Sequence, residues 1–391
     1  MSSNLFSEER LKDPVYDGIL GCIYGQALGD AVGLSCEFLF KKEIEHHYGK
    51  DPIPFPKFVR NRHNQRWAEG DWTDDTDQMI LLMDSLVDTL GTVQPTDFGI
   101  CLKMSSSMTD RITAVKLRSW VQNGFPELGD HAGMGLGMTV GTVVSQPTFT
   151  TDPHGAALKK WIDMGRDLAP NGSVMRTSIV ACHRFEDIDQ VAKNSSDMCR
   201  VTHADPRCIH NTVAMCHIIA TILKKRKDHH EAVPFALEDK ELNETIEEGI
   251  RKGHEAVEKK GMLQFVLGGW LTRTSPFDDE MLEIIDSFMV KDNDVQTLYN
   301  LQLDDQKSIG YTLKCFGSGL WALRSTRSFK DTIDLLVREG GDADTNGAVA
   351  GALLGAKLGY KQLPREWLES LRHKEWLEEK VEKFLKLQGL I

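Results

Sequence analysis

Four carboxylates fall within seven residues at the entrance to a predicted helix, and this cluster constrains the fold more than any other feature of the sequence. The acids are Asp71, Asp74, Asp75 and Asp77. Apolar residues at spacings of three and four follow over residues 79–90, which predicts an amphipathic helix. One acid suits the first turn of a helix, where free N–H groups and the positive end of the dipole favour negative charge. Additional acids repel one another unless a cation lies between them.

An acidic helix start with Thr73 as N-cap would explain part of this pattern without any function. A second acidic segment, residues 340–347 (GGDADTNG), enters another helical stretch. Asp342 and Asp344 match the first half of an EF-hand loop, but position twelve, which must be a bidentate Glu, is Leu353. The oxygens of this segment therefore need partners from elsewhere, and the first cluster is the natural source. Oxygen donors without Cys or His select Mg²⁺, Mn²⁺ or Ca²⁺ over zinc.

Composition excludes several other classes of protein. The net charge of −12 lacks the basic footprint that general nucleic-acid binding needs. The eight cysteines form no CxxC pair and lie mostly in apolar runs, which is typical of reduced core residues. No apolar stretch reaches about 18 residues, so no membrane span is expected. We therefore expect a soluble cytoplasmic protein.

The periodicity favours an all-α fold. Alternating strand patterns are scarce, and the best candidates are residues 139–144 and 149–151. We expect a polar N-terminal segment over residues 1–13 and one compact helical domain over residues 14–391. Two charged stretches, residues 226–246 and 274–296, are expected to be exposed.

Several weaker signals each leave two interpretations open. Residues 16–34 are rich in Gly and Ala and predict a buried helix, interrupted near Gly29 and Asp30. Glu37, among apolar neighbours, is either a surface turn residue or a buried carboxylate that must be paired, protonated or metal-bound. Glycines alternate over residues 133–137, which fits a flexible turn or a loop whose N–H groups approach a phosphate. Residues 170–176 (PNGSVMR) fit a helix cap or a ligand contact, and so does His203.

Together, in this order, these motifs resemble the ADP-ribosylglycohydrolase family over about residues 17–364. The resemblance rests on residues 29–33 (GDAVG) with Glu37, 72–76 (WTDDT), 171–172 (NG), 175–176 (MR), 202–203 (TH) and 340–345 (GGDADT).

The resemblance implies an all-α orthogonal helical bundle with a dinuclear Mg²⁺ or Mn²⁺ centre at one end of the helices. Glu37, Asp74 and Asp75 would be catalytic. The implied metal ligands are Glu37, Thr73, Asp74, Asp75, Asp342, Asp344 and Thr345. The implied ADP-ribose contacts are Asp130, Gly133, Met134, Gly135, Gly137, Asn171, Gly172, Ser173, Met175, Arg176 and His203, although Ser173 stands where Ala or Gly is more usual.

The implied reaction is hydrolysis of the glycosidic bond between ADP-ribose and a protein side chain. Arginine is favoured over serine as the acceptor, and Asp130 or Glu127 would hold a guanidinium. The partners would be ADP-ribosylated proteins and ADP-ribose, and we expect a monomer. A catalytically inactive structural or ADP-ribose-binding member is the alternative. A metal-dependent phosphatase on an unrelated helical fold would explain the acids but not residues 171–176 and His203.

Overall fold

The computed structural model describes residues 5–91, 108–229, 235–258 and 277–391. Within these ranges the chain forms α-helices and short 3₁₀ turns and no β-strand, so the all-α class is confirmed. Cys101 and parts of the two charged stretches, residues 230–234 and 274–276, lie outside the described ranges. None of the helices in the described part of the chain is both long and apolar enough to cross a membrane.

The α-helices of the described ranges are α1 (Pro14–Gly33), α2 (Lys41–Tyr48), α3 (Asp74–Asp88), α4 (Met108–Asn123), α5 (Met138–Val144), α6 (Pro153–Asp163), α7 (Ser178–Cys182), α8 (Ile188–Arg200), α9 (Pro206–Lys227), α10 (Asp239–Glu258), α11 (Phe277–Ser287), α12 (Val295–Asn300), α13 (Thr312–Leu323), α14 (Phe329–Val337), α15 (Ala343–Leu358), α16 (Arg365–Ser370) and α17 (Lys374–Leu387).

Helices α1 and α15 pack against each other backbone to backbone through glycines four residues apart. A Cβ atom added to Gly29 would lie 1.9 Å from the carbonyl oxygen of Gly347, and one added to Gly25 would lie 2.3 Å from that of Gly351. The two helices are antiparallel. The C-terminal end of α1 therefore lies beside the N-terminal end of α15, where the second acidic segment begins.

This packing corrects one expectation. Helix α1 continues without interruption through Gly29 and Asp30 to Gly33, and all of its residues after Pro14 are buried. Its glycines mark the close approach of another helix rather than a break.

The opposite end of the α1–α15 pair is closed by Arg226, a residue of α9. Its guanidinium donates to the carbonyl oxygens of Ala356 and Lys357 at the end of α15, and it forms a 3.2 Å ion pair with Asp17 of α1. The Arg226 side chain is 1% exposed. The expectation that residues 226–246 are an exposed stretch is therefore wrong at its first residue, because this arginine satisfies the carbonyl groups that a helix end leaves free. It is also wrong where α10 packs on the core, since Leu242, Thr245 and Ile246 are buried, and the stretch over residues 274–296 likewise has buried residues at positions 285, 289 and 290.

The best strand candidates are also corrected. Residues 139–144 lie in α5, and residues 149–151 form a turn. Val140, Val143 and Val144 point into the core at helical spacing, and the Arg118 guanidinium binds the carbonyl oxygen of Val144 at the end of the helix. Tertiary packing therefore overrides the preference of β-branched residues for strands.

The glycine contact gives a first prediction. Gly351→Ala is expected to destabilise the protein by about 3 kcal/mol or more, because its Cβ would lie 2.0 Å from the backbone oxygen of Gly25 and neither helix can yield without moving the other. The free energy of unfolding from urea titrations measures this change.

Gly141→Ala in α5 is the matched control. Its Cβ would meet only the flexible end of Leu136, at 3.3 Å. We expect it to be neutral or stabilising by up to about 1 kcal/mol, because Ala favours the helix. Equal stability of the two variants would contradict the close packing of α1 on α15.

Candidate metal centre and ligand site

The start of α3 is held by a carboxylate from α1. One oxygen of Asp30 accepts from the backbone N–H and the hydroxyl of Thr73, at 3.0 and 2.9 Å, and the other accepts from the same two groups of Thr76, at 3.0 and 2.6 Å. Thr73 occupies the N-cap position as expected, but its own side chain makes no capping hydrogen bond. Asp30 caps the helix in its place.

Asp30 also belongs to a cluster of acids, although it was not among the predicted site residues. Its only sequence signal was its place in the GDAVG segment, one residue after a glycine that contacts α15. Burial raises the pKa of Asp30 to about 7.

Two groups of three carboxylates meet where α1, α3 and α15 converge. Asp30, Asp75 and Asp344 place one oxygen each within 4.8 Å of one another, and so do Glu37, Asp342 and Asp344. Asp344 belongs to both groups. The structure thus brings together acids from the two ends of the chain, as expected from the sequence.

Two threonine hydroxyls lie among these acids. Thr73 Oγ1 is 2.9 Å from an oxygen of Asp30, 3.0 Å from one of Asp75 and 3.3 Å from one of Asp344. The Thr345 hydroxyl lies near Asp75 and opposes the rise in the pKa of that carboxyl. Because a hydroxyl has only one proton, Thr73 can donate to only one of these three oxygens at a time.

The electrostatics of the cluster are unfavourable without a cation. Among the described residues, no lysine or arginine forms an ion pair with Asp30, Asp74, Asp75, Asp342 or Asp344. Burial, and then the neighbouring carboxylates, raise the pKa of Asp74, Asp75 and Asp344 well above the usual range. The same causes raise the pKa of Asp342 to about 6.

Unpartnered oxygens show that the residues present fit divalent cations. Within the described part of the chain, Asp75 Oδ1, Asp344 Oδ1 and Glu37 Oε2 are buried and have no hydrogen bond. Such oxygens are costly unless a cation or a proton satisfies them. An all-oxygen set of carboxylates and hydroxyls suits Mg²⁺, Mn²⁺ or Ca²⁺.

Glu37 has a neighbour that the sequence did not indicate. His63 Nε2 lies 2.7 Å from Glu37 Oε2, although the two groups are not aligned as a hydrogen bond. The edge of the His63 ring also meets Phe38, which has a left-handed backbone with φ of 58°. Glu37 is therefore a buried carboxylate at the edge of the cluster rather than a surface turn residue.

Asp74 lies outside both groups and faces the glycine-alternating loop. Its Oδ2 atom accepts from Gln78 Nε2 at 2.7 Å. A Cβ atom on Gly135 would lie 2.5 Å from Asp74 Oδ1. The loop over residues 133–137 therefore lies directly against the first turn of α3, beside the acidic cluster.

Two tryptophans hold this loop in place. Trp72 and Trp120 donate their indole N–H groups to the two oxygens of Asp77, at 2.8 and 3.0 Å. A Cβ atom on Gly133 would lie 2.8 Å from the Trp120 ring. Trp72 is 3% exposed and acts here as a core residue. Asp77, the fourth acid of the first cluster, thus has a structural partner on each oxygen.

The remaining residues of the loop differ in their surroundings. Met134 and Asp130 line a small cavity with Trp72 and Asp77, and Asp130 accepts from the backbone N–H of Phe125. Gly137 is exposed, with no atom near the position of a Cβ.

Residues 171–173 also lie beside the cluster. Asn171 Nδ2 donates to Asp342 Oδ2 at 2.7 Å. Gly172 lies against His203, since its Cβ would be 3.2 Å from His203 Nε2. Ser173 is fully buried and accepts from the Thr212 hydroxyl. Of these three residues, Asn171 contacts the acids directly.

Met175 and Arg176 are enclosed in the protein. Met175 is 5% exposed and Arg176 is 1% exposed. The Arg176 guanidinium donates to Gln78 Oε1 at 2.8 Å and to the Thr202 hydroxyl at 2.7 Å. The structure therefore places this arginine behind the site, in contact with other side chains.

Comparisons with known proteins show which sequences this chain resembles. The family model described as ADP-ribosylglycohydrolase matches residues 11–390. The chain is 23% identical over 360 residues to an ADP-ribosylarginine hydrolase of Serratia proteamaculans, covering 92% of this chain and 76% of that protein. It is 24% identical over 383 residues to the ADP-ribosyl-[dinitrogen reductase] glycohydrolase of Rhodospirillum rubrum, covering 96% and 98%.

A solved structure has the same fold. It belongs to an ADP-ribosylglycohydrolase-related protein complex and aligns with a TM-score of 0.59 at 21% identity, covering 96% of this chain and 99% of that chain.

The raised carboxyl pKa values predict how metal and pH affect stability together. Asp30 and Asp342 have a pKa of about 7 and about 6 in the folded protein, against 3.8 as the ordinary value. The folded state thus holds these protons more tightly than the unfolded chain, so they stabilise the metal-free protein at low pH and less as the pH rises through 6 to 7. A bound cation replaces the protons. We therefore expect Mn²⁺ to raise the melting temperature more at pH 8 than at pH 6.

Differential scanning fluorimetry with Mn²⁺ or with EDTA at each pH measures this difference. Titrating groups elsewhere in the chain, including the buried histidines, contribute equally to both samples at a given pH. An equal gain at pH 6 and pH 8 would contradict a cation site built from these carboxylates.

Proposed function

Because the chain belongs to the ADP-ribosylglycohydrolase family, we propose that it is a metal-dependent hydrolase that releases ADP-ribose from a protein side chain. The observation that carries this proposal is the presence of two clusters of three acidic residues, with Asp344 in both. Asp75, Asp344 and Glu37 each have a buried oxygen without a hydrogen bond. A structural or binding protein has no need to keep so many repelling acids together. Hydrolysis assisted by divalent cations does need them.

The proposed cofactors are two divalent cations, Mg²⁺ or Mn²⁺, one for each carboxylate group, with Asp344 common to both. When bound, such cations neutralise the acids and favour loss of a proton from water near neutral pH. The residues proposed to hold them are the sequence-predicted ligands Glu37, Thr73, Asp74, Asp75, Asp342, Asp344 and Thr345, together with Asp30, which belongs to the first group of acids.

ADP-ribose is an anion, and this chain carries a net charge of −12, so its binding depends on local donors. The glycine loop over residues 133–137 is proposed to offer backbone N–H groups to the diphosphate, because it lies against Asp74 and is held by Trp120. His203 has a buried Nε2 atom without a partner beside Gly172, and Asn171 lies between this position and Asp342. These groups lie around one end of the acidic cluster.

In the proposed reaction a water oxygen bonds to the anomeric carbon of the distal ribose, and the bond from that carbon to the acceptor nitrogen or oxygen breaks. The proton lost by the water is returned to the leaving side chain. Glu37 Oε2 and Asp75 Oδ1 are the candidate proton acceptors, because both oxygens are buried and have no hydrogen bond among the described residues. Glu37 Oε2 also lies 2.7 Å from His63 Nε2.

An arginine linkage is the favoured substrate. Two relatives from Serratia proteamaculans and Pseudomonas putida, at 23% and 24% identity over more than nine-tenths of this chain, are ADP-ribosylarginine hydrolases. Serine-linked ADP-ribose is the alternative linkage.

Release of free ADP-ribose from arginine-linked and serine-linked ADP-ribosyl peptides tests the activity. We expect release from the arginine-linked peptide with Mg²⁺ or Mn²⁺ and none after chelation. Release from the serine peptide alone would overturn the linkage. No release from either peptide, with ADP-ribose still bound, would favour a catalytically inactive binding protein.

Asp75→Asn tests the role of the cluster in turnover. We expect ADP-ribose release to fall at least about 100-fold, because the variant loses one oxygen anion needed for both cation binding and proton transfer. The metal-free variant should melt no lower than the wild type, because burial already raises the Asp75 pKa.

Asp88→Asn is the matched control on the same helix. Asp88 is exposed at the far end of α3 and pairs only with Lys116 among the described residues. It should keep full turnover. A folded Asp75→Asn protein with wild-type turnover would refute the assignment.

A further inference from the structure

Gln78 connects the acidic cluster to a buried cation. Its Nε2 atom donates to Asp74 Oδ2 at 2.7 Å, and its Oε1 atom accepts from Arg176 Nη1 at 2.8 Å. This orientation of the amide is the one the neighbours allow, because a guanidinium only donates and a carboxylate only accepts. The buried charge of Arg176 is therefore linked through an amide to the carboxylate of Asp74. Asp74 Oδ2 accepts the hydrogen bond from Gln78, and Asp74 Oδ1 remains available to a ligand.

Thr202 connects the same arginine to His203. The Thr202 hydroxyl oxygen is 2.7 Å from Arg176 Nη2 and 2.7 Å from His203 Nδ1. Arg176 can only donate, so the threonine oxygen accepts there and its proton is free for His203 Nδ1. Among the described residues, no other acceptor contacts the Thr202 hydroxyl, so its proton goes to Nδ1. That nitrogen then lacks a hydrogen, and the proton of the neutral ring lies on Nε2.

The surroundings of His203 agree with a neutral ring. His203 is 2% exposed, and burial together with the charge of Arg176 lowers its pKa to about 3. Its Nε2 atom has no partner and lies beside Gly172, next to the asparagine that contacts Asp342. An N–H group in this position needs an acceptor.

We infer that Arg176 is a positioning residue that acts in two directions at once. Through Gln78 it orients the Asp74 side chain so that Oδ1 is left for a ligand, and through Thr202 it fixes His203 as an Nε2–H donor toward the ligand. This inference rests on the proposed function for the identity of the ligand, ADP-ribose. Because Arg176 is fully enclosed, it acts through these two side chains and does not touch the substrate.

The tautomer of His203 gives a direct test that needs no substrate. In ¹⁵N-histidine-labelled protein, long-range ¹H–¹⁵N spectra distinguish a protonated from an unprotonated ring nitrogen, and a His203→Gln variant assigns the signals. We expect Nε2 protonated and Nδ1 unprotonated in the wild type. Thr202→Val should abolish this preference, and Thr202→Ser, which keeps the hydroxyl, should restore it. A wild-type ring protonated on Nδ1 would overturn the inference.

Binding measurements distinguish the effect of Arg176 on Asp74 from its effect on His203. Gln78→Met should weaken Mn²⁺ about tenfold and leave the His203 tautomer unchanged, because it removes the amide that links Arg176 to Asp74 and keeps the contacts of Arg176 and His203 with Thr202. Thr202→Val should weaken ADP-ribose about tenfold with Mn²⁺ affinity unchanged. Arg176→Lys keeps the positive charge but cannot contact Gln78 and Thr202 at the same time as a guanidinium does. The affinities for Mn²⁺ and for ADP-ribose should therefore both fall.

Thr245→Val is the matched control for loss of a buried threonine hydroxyl. Thr245 is 2% exposed and donates only within its own helix, α10, to Glu241. It should change neither affinity. The inference fails if Gln78→Met and Thr202→Val each weaken both ligands equally, or if neither weakens either ligand. If the tautomer and the Mn²⁺ results hold but no ADP-ribosyl peptide is cleaved, the proposed activity fails and the positioning role stands.

Discussion

The direct contact between the backbones of α1 and α15 is the constraint on which the rest of the structure depends. Glycines at intervals of four residues remove every side chain from the contact line, so that each carbonyl oxygen lies where a Cβ atom of the partner would be. The antiparallel arrangement then brings Asp30 of α1 to the N-terminal end of α15, where Asp342 and Asp344 lie. At the other end, Arg226 closes the pair by binding the last carbonyl groups of α15.

This packing brings several buried carboxylates close together. The proposed chemistry depends on the repulsion between them. Asp30 fixes the start of α3 with four hydrogen bonds, which places Asp75 beside Asp344. The carboxylates are buried, and among the described residues no lysine or arginine pairs with them. Protonation relieves the repulsion at low pH, and divalent cations relieve it at neutral pH. The same rigid backbone contact that concentrates the negative charge also prevents the acids from moving apart.

The sequence predicted the helical class and the meeting of the two acidic segments, because hydrophobic periodicity and clustered carboxylates are local signals. It did not predict which residue caps α3, since the capping side chain comes from 43 positions earlier in the chain. Arg226 stood in a run of basic residues at a helix end, and only the packing of α9 on α15 shows that it is buried. Residues 139–144 favoured a strand by composition, but contacts with the core made them a helix. Each of these differences arises from long-range contacts that a local pattern does not contain.

The most direct test of the central claim is electron paramagnetic resonance of the protein titrated with Mn²⁺. Because the two clusters of three acids share Asp344, we expect saturation at two ions, with the spectrum of an exchange-coupled pair at the second equivalent. Asp344→Asn should remove the coupling. Saturation at a single ion, or two magnetically isolated ions at full occupancy, would contradict a centre built on a shared aspartate between α1, α3 and α15.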